Sequence, residues 1–299
     1  MENKFEIVGI RPLPQGEQEW QKKRRRSRNI QKSSVGAFLI LAVIALGCLL
    51  CDWFVTRDPG YLDLQNCSMP PNRDFLFGTD TLGRDIFAMI WYGGRISLLI
   101  GMAATIISTF LAVVFGALSG CAPAWLDAVM MRLAEILLSM PALPAAILLQ
   151  AVLGEANALS ISFVLGITGW MSIAKVVRSE VRRIRECEYV IASRSMGGGF
   201  FHVLWKHLTP NFVSSIMFMV VMNVRSAIVA ESTLSFMGIG LPVETVTWGS
   251  MLSLSEDAML ANAWWIILIP GAFLVVTLLC FTNLGNCLRR SMNRGQSNL

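Results

Sequence analysis

The chain has 299 residues, of which 54% are hydrophobic and only 15% are charged, with a formal net charge of +5 and a mean hydropathy of +0.57. A soluble domain of this composition would expose too much apolar surface, so the composition excludes that class and predicts an all-α integral membrane protein. A membrane-crossing helix needs about 20 apolar residues. Six segments of the sequence qualify: 35–55, 96–120, 128–153, 159–177, 212–234 and 262–284.

The first 34 residues form a basic tail, with the run KKRRRSR shortly before the first apolar segment. Such a run can bind nucleic acid, but beside an apolar helix it is typical of a topology signal that contacts anionic lipid. We therefore predict a cytoplasmic tail and no nucleic-acid partner. The segment 35–55 is too long for the apolar part of a signal peptide and is followed by no small-residue cleavage site, so it is predicted to be an uncleaved first span.

The distribution of Lys and Arg predicts the topology, because these residues stay on the cytoplasmic side. They are concentrated in the N-terminal tail, in the segment 178–210 and in the tail 286–299, whereas 236–261 contains none. Six spans would place both termini inside. The predicted parts are a tail (1–34), a first helix (35–55), an external loop (56–92), a core (93–285) and a second tail (286–299).

The segment 77–101, FGTDTLGRDIFAMIWYGGRISLLIG, leads into the second span. Thr79 and Asp80 are turn and cap residues, Gly83 permits a sharp bend, and Asp85 stands where a carboxylate favours the start of a helix. The pattern therefore predicts a structured approach to that helix.

The third span contains Glu135 and is interrupted by Pro141 and Pro144. Prolines in a membrane helix leave carbonyl groups that neighbouring helices or a cavity must satisfy. Two interpretations stay open: a purely architectural kink, or a kink that lines the transport pathway.

The fifth span contains Arg225 and, near its end, Glu231. A charge at the centre of the membrane costs about 2.5–3.5 kcal/mol, so each should face a partner or water. They are not on one helix face, and we hypothesise that Arg225 pairs with Glu135. Trp264 and Trp265, at the start of the sixth span, are expected in the interfacial aromatic belt.

Between the fourth and fifth spans lies a polar stretch, 188–211, with the sequence EYVIASRSMGGGFFHVLWKHLTPN. Its pattern predicts a helix over 188–196, a break at Gly197 and the two glycines after it, and a second short helix over 200–208. Pro210 suits the first turn of the next helix. The aromatic side chains of this stretch could fill the groove of a soluble partner.

This stretch resembles the EAA coupling loop of permease subunits from bacterial ABC importers of the dipeptide, oligopeptide and nickel family, whose pattern is E-Y-V-E-A-A-R-x-L-G followed by H-x-L-P-N. The matching residues are Glu188, Tyr189, Val190, Ala192, Arg194, Gly197, His207, Pro210 and Asn211. The departures are Ile191 at the position of the second Glu, Ser193, Met196 and Thr209.

Two further stretches resemble the same family. Residues 78–98 match its G-T-D-x-L-G-R-D and Y-G-x-R-x-S-L signature, and residues 231–252 match E-A-x-L-S-F-L-G-L-G followed by W-G-x-M-L. Together the three stretches extend the resemblance over 77–290. By itself, the last one predicts a glycine-broken external re-entry.

The resemblance implies a type I ABC importer permease, with one N-terminal helix and a five-helix core, in the bacterial cytoplasmic membrane. It implies a second homologous permease subunit, two ATP-binding subunits that hold ATP and Mg, and an extracytoplasmic solute-binding protein. This chain would bind no cofactor or metal itself. Coupling to the ATPases would involve Glu188, Tyr189, Ala192, Gly197, His207 and Pro210, and the pathway or gate would involve Glu135, Pro141, Arg225 and Glu231.

The sequence contains no P-loop, metal-ligand cluster or nucleophile–base motif, so we expect a transport subunit and not an enzyme. Peptides are the expected substrate; nickel or a metal-chelator complex is the alternative. A secondary transporter is the competing class, although charges within the predicted spans are sparse.

Overall fold

The computed structural model describes residues 35–197, 209–242 and 245–296, and within these ranges regular structure is helical apart from one isolated bridge between Thr79 and Asp85. The predicted basic tail, 1–34, lies outside the described residues, as do His207 and the predicted short helix 200–208.

The described ranges contain twelve α-helices. In chain order they are α1 (Val35–Leu49), α2 (Cys51–Phe54), α3 (Ile86–Cys121), α4 (Ala124–Ser139), α5 (Ala142–Leu153), α6 (Ala158–Gly169), α7 (Met171–Arg185), α8 (Glu188–Ser195), α9 (Thr209–Phe236), α10 (Trp248–Ser253), α11 (Ser255–Leu260) and α12 (Trp265–Gln296). The longest connection, between α2 and α3, contains a 3₁₀ turn at Leu64–Asn66.

Three of the described helices, α3, α9 and α12, are long and apolar enough to cross a membrane, and α1 is a shorter apolar helix. Two bent pairs, α4 with α5 and α6 with α7, raise the number to five if each pair is one span. The predicted class, an all-α membrane protein, is confirmed. The count of six spans stays a prediction.

Helix α3 begins at Ile86 and not at the predicted 96. The last residues of the loop predicted over 56–92 are therefore helical. The cause is the cap that the sequence indicated, because the Asp85 carboxylate accepts the Phe87 N–H at 3.0 Å and satisfies a free helix donor. The side chain of Arg95, one of the residues between the two starts, pairs with Asp52 at 3.0 Å.

The predicted third span, 128–153, is two helices that meet at 93° around Pro141. Pro141 is the N-cap of α5, with φ −60° and ψ 130°, and it has no N–H with which to continue α4. The expected kink is therefore a break. A second bend, of 47°, separates α6 from α7 within the predicted span 159–177, which contains no proline to signal it.

The core is built around α3, which packs against α6, α7 and α9. Small residues let these helices approach closely: a Cβ on Gly101 would lie 2.6 Å from the Ile228 side chain of α9, and one on Gly166 of α6 would lie 2.7 Å from Ile107 of α3. This is the packing expected of helices in a membrane.

Candidate functional site

The segment from α7 to α8 carries three of the six predicted coupling residues, and it is fixed to α3. Along α3, Ala112, Gly116 and Gly120 recur every four residues and share one face. A Cβ on Gly116 would lie 2.6 Å from the Ala174 carbonyl oxygen, and one on Gly120 would lie 2.8 Å from the Val181 side chain. Helix α7 therefore lies directly on the backbone of α3.

Among the described residues of α8, Val190 is the buried side chain that packs towards this pair. Val190 is fully buried and belongs to a cluster with Ile184 of α7 and with Phe212 and Ile216 of α9. Because Val190 lies in a cluster shared with both flanking elements, we expect a displacement of α8 to be passed on to α7 and α9.

The predicted coupling residues of α8 are exposed. Glu188, Tyr189 and Ala192 lie on this one helix with exposed side chains. Partial burial and the neighbouring Cys187 raise the pKa of the Tyr189 phenol above its ordinary value. Gly197 follows with φ +86°, the left-handed conformation that glycine adopts at little cost, which confirms the predicted break. Pro210 lies in the first turn of α9, as expected.

A buried polar cluster, which we call the Asp127 clamp, joins the start of α4 to α7 and α3. Arg178 of α7 donates from Nε and Nη2 to the two carboxylate oxygens of Asp127, each at 2.5 Å. Arg182 Nη2 lies 2.9 Å from the same carboxylate, and Ser119 Oγ of α3 donates to it at 2.5 Å. Asp127 is only 3% exposed. Such bidentate, charge-assisted bonds are the stronger class of hydrogen bond.

The sequence pattern did not indicate the Asp127 clamp. Asp127 and Arg178 are separated by 51 positions, so no local spacing connects them. The sequence contained only a general indication of an ion pair: an acidic residue stands at the start of the third predicted span, and several arginines follow the fourth.

Glu135 and Arg225 do not pair, so the hypothesis that joined them is wrong. Glu135 lies 3.1 Å from Arg132 and 3.8 Å from Lys175 of α7. It is half-exposed at the surface of α4, and these two nearby cations already balance its charge. Arg225 forms no ion pair with any described residue.

Glu231 is enclosed by hydroxyl groups near the end of α9, in what we call the Glu231 nest. Its side chain accepts hydrogen bonds from Ser235 at 2.9 Å, Ser97 of α3 at 3.2 Å and Ser232 at 3.4 Å, and a fourth from the Thr247 side chain. Glu231 is fully buried, and no cation of a described residue pairs with it. Four donors replace the water that the group loses.

The nest holds the short helix α10, which corresponds to the predicted glycine-broken re-entry. The Trp248 N–H donates to Ser97 Oγ at 3.3 Å, and the indole of Trp248, which is fully buried, donates to the Ile90 carbonyl at 3.0 Å. A Cβ on Gly94 would lie 2.5 Å from the Trp248 ring, and one on Gly249 would lie 2.5 Å from the Ser232 Cα. Helix α10 is thus wedged between α3 and α9.

The residues 78–85 form the frame of a compact loop. Asp80 accepts the N–H groups of Leu82 and Arg84 at 2.9 and 2.8 Å and the Arg84 Nε at 2.7 Å. Gly83 has φ +77°, and a Cβ there would lie 1.8 Å from the Asp63 carbonyl oxygen, so only glycine fits. The residues of the 78–85 signature are therefore explained by their role in folding this loop.

The same loop changes the expectation for the two adjacent tryptophans. Trp265 is buried and donates from its indole N–H to the Thr79 carbonyl at 3.2 Å, whereas Trp264 is 59% exposed. Trp265 therefore anchors the loop, and only Trp264 has the exposure expected of an aromatic belt.

A cavity of about 280 Å³ adjoins this loop and is lined by Arg57, Asp58, Tyr61, Asp63, Phe75, Gly83 and Asp85. Burial raises the pKa of Asp85, while its hydrogen bond from Phe87 and the charge of Arg57 act in the opposite direction. Arg57 lies over the Phe75 ring at 4.2 Å, and Asp58 accepts the Gly60 N–H at 2.8 Å. These groups serve the loop's own fold.

Comparison with known proteins places this arrangement in a transport context. A family profile described as "Binding-protein-dependent transport system inner membrane component" matches residues 112–294. The chain is 35% identical to an oligopeptide transport system permease protein of Bacillus subtilis (strain 168), over 92% of this chain and 89% of the relative. It is 34% identical to a dipeptide transport system permease protein of the same strain, over 90% and 83%. A putative peptide permease protein of Brucella suis is 31% identical over 86% and 85%.

Proposed function

We infer the function of this chain from its family, because the chain belongs to the binding-protein-dependent transport system inner membrane components. It is therefore a multi-pass protein of a bacterial inner membrane, and a transport component of an ABC system, not an enzyme. We propose that it is a permease subunit of an ATP-driven importer of peptides. The relatives support peptides, since their names specify oligopeptide, dipeptide and peptide transport, and no described feature favours nickel or a metal complex.

The observation that carries the proposal is the junction of α7, α8 and α3. It combines an exposed face, on which a soluble subunit could dock, with a buried attachment through Val190. The Asp127 clamp and the glycine contacts of α7 with α3 continue that attachment into the membrane helices. A push on α8 would therefore move α7, α3 and the start of α4 together, as rigid-body coupling requires.

We propose that two ATP-binding subunits, holding ATP and Mg, dock on this surface, with Glu188, Tyr189, Ala192, Gly197, His207 and Pro210 as contacts or hinge points. A second permease subunit and an extracytoplasmic solute-binding protein would complete the complex. The topology would be six spans with both termini in the cytoplasm, α1 and α2 together forming the first. In this orientation α8 faces the cytoplasm and α10 closes the outer mouth.

The first test is Tyr189→Ala in the complex purified with its ATP-binding subunits. Tyr189 is 47% exposed on α8, and removing an aromatic anchor from a docking surface costs on the order of 2 kcal/mol or more. We expect the affinity for the ATP-binding subunits to fall about 30-fold and ATP-dependent peptide uptake to fall with it. Affinity is measured by titrating purified ATP-binding subunits onto the immobilised permease pair.

The matched control is Tyr61→Ala, which removes an exposed tyrosine from the loop that precedes α3 and should leave that affinity unchanged. Equal losses in both variants would argue against docking on α8. Recovery of this chain alone, able to move solute without ATP, would contradict the importer function and favour a secondary transporter.

A further inference from the structure

Arg225 stands in the middle of a membrane-spanning helix and has no counter-ion among the described residues. In the span Phe212–Phe236 the only ionisable residues are Arg225 and Glu231. The Arg225 Nε is buried and has no hydrogen-bond partner among the described residues. An arginine at this depth is costly, and in membrane proteins such residues face a partner or a water-filled route.

The two acids that the sequence placed in the third and fifth spans, Glu135 and Glu231, are engaged elsewhere. Glu231 is surrounded by the four hydroxyls of its nest, and Glu135 is paired with Arg132 and Lys175. Arg225 as a whole is only partly buried, so a group from outside the described residues can approach its side chain.

The face of α9 that carries Arg225 also carries two hydroxyl groups, next to the apolar Val229. Ser226 is exposed and Thr233 is half-buried, and their hydroxyls donate to the carbonyl oxygens of Met222 and Val229 in their own helix, at 3.1 and 2.8 Å. Each hydroxyl oxygen keeps acceptor capacity. Hydroxyls that donate to their own helix do not by themselves indicate water, so the need for a hydrated route on this face comes from Arg225. Substrate sites of transporters commonly lie near the middle of the membrane.

We propose that Arg225 is a pathway residue that binds the carboxylate of the peptide in transit. This rests on the proposed function and specifies the substrate as a peptide with a free carboxylate. Guanidinium binds carboxylate through two parallel hydrogen bonds, and this pairing would supply the counter-ion that Arg225 lacks among the described residues. A carboxylate of the second permease subunit has the same chemistry, and the experiment separates the two sources.

The experiment measures ATP-dependent uptake by the full importer in proteoliposomes, with one peptide supplied either as the free acid or as its C-terminal amide. The variants are Arg225→Gln and Arg225→Lys. Met217→Gln is the control, because it places the same amide at another exposed position of α9. The solute-binding protein is identical throughout, so its own preference cancels when each variant is compared with wild type.

We expect Arg225→Gln to reduce uptake of the acid at least tenfold and uptake of the amide less than twofold, with Arg225→Lys keeping part of the preference and Met217→Gln keeping all of it. Equal losses for acid and amide would overturn the inference and assign Arg225 to the partner subunit. No loss for either would overturn it as well. Failure of the wild-type importer to take up either peptide would instead refute the peptide function, and this inference with it.

Discussion

Replacing Asp127 by Asn is expected to uncouple ATP hydrolysis from transport and to destabilise the subunit. The substitution keeps the shape of the side chain but removes the charge that Arg178 and Arg182 share. Breaking a buried ion pair costs about 3–5 kcal/mol. Since the two arginine side chains are 25% and 40% exposed and can turn towards water, we expect about 2–3 kcal/mol for this clamp.

Two measurements check this expectation. The thermal unfolding temperature of the purified subunit in detergent should fall, and the number of ATP molecules hydrolysed per peptide imported should rise about tenfold, because α4 no longer follows α7. Asp74→Asn is the control, since it neutralises an exposed aspartate in the loop between α2 and α3. If Asp127→Asn behaves like this control in both measurements, the clamp has no part in coupling.

The Asp127 clamp also shows the limit of prediction from the sequence. Local chemistry predicted local structure well: Gly197 ends α8, Pro210 lies in the first turn of α9, and Asp85 caps α3. The predicted fifth span, 212–234, lies within α9, Thr209–Phe236. Each of these features depends on residues that are neighbours in the chain.

Features that depend on distant residues were not predictable. Asp127 and Arg178 are 51 positions apart, and Ser97 and Glu231 are 134 apart, so no periodicity reveals either contact. Pro141 indicated a kink, but the angle of 93° depends on what the two helices pack against. The proposed pairing of Arg225 with Glu135 failed for the same reason, because the partner of Glu135 on another helix, Lys175, could not be identified from the sequence.

Replacing Glu231 is expected to cause the second large loss of stability. Comparing Glu231→Ala with Glu231→Gln separates the contribution of its hydrogen bonds from that of its charge. Glu231→Ala would leave the hydroxyls of Ser97, Ser235 and Thr247 without their acceptor in a fully buried site and would open a cavity. Each unsatisfied buried group costs about 1–3 kcal/mol, so we expect a total of about 3–5 kcal/mol, since such losses are not additive. In Glu231→Gln the amide oxygen can still accept, and the rotatable hydroxyls can accept from the amide N–H₂, so the loss should stay near 1 kcal/mol.

The consequence for transport follows from what the nest holds. Trp248 is fixed to Ser97, which in turn bonds to Glu231, so the alanine variant should release α10 from the groove at Gly94.

This release can be measured by the reactivity of Cys48, which is buried in the same cluster as Trp248. In a Cys67→Ser background, which removes the exposed thiol, we expect a membrane-impermeant maleimide to label Cys48 in Glu231→Ala but not in Glu231→Gln. Glu155→Ala, at an exposed position between α5 and α6, is the control. Labelling of Cys48 in both Glu231 variants would mean that the charge, and not the hydrogen-bonded nest, keeps α10 in place, and labelling in neither would mean that Glu231 does not hold α10.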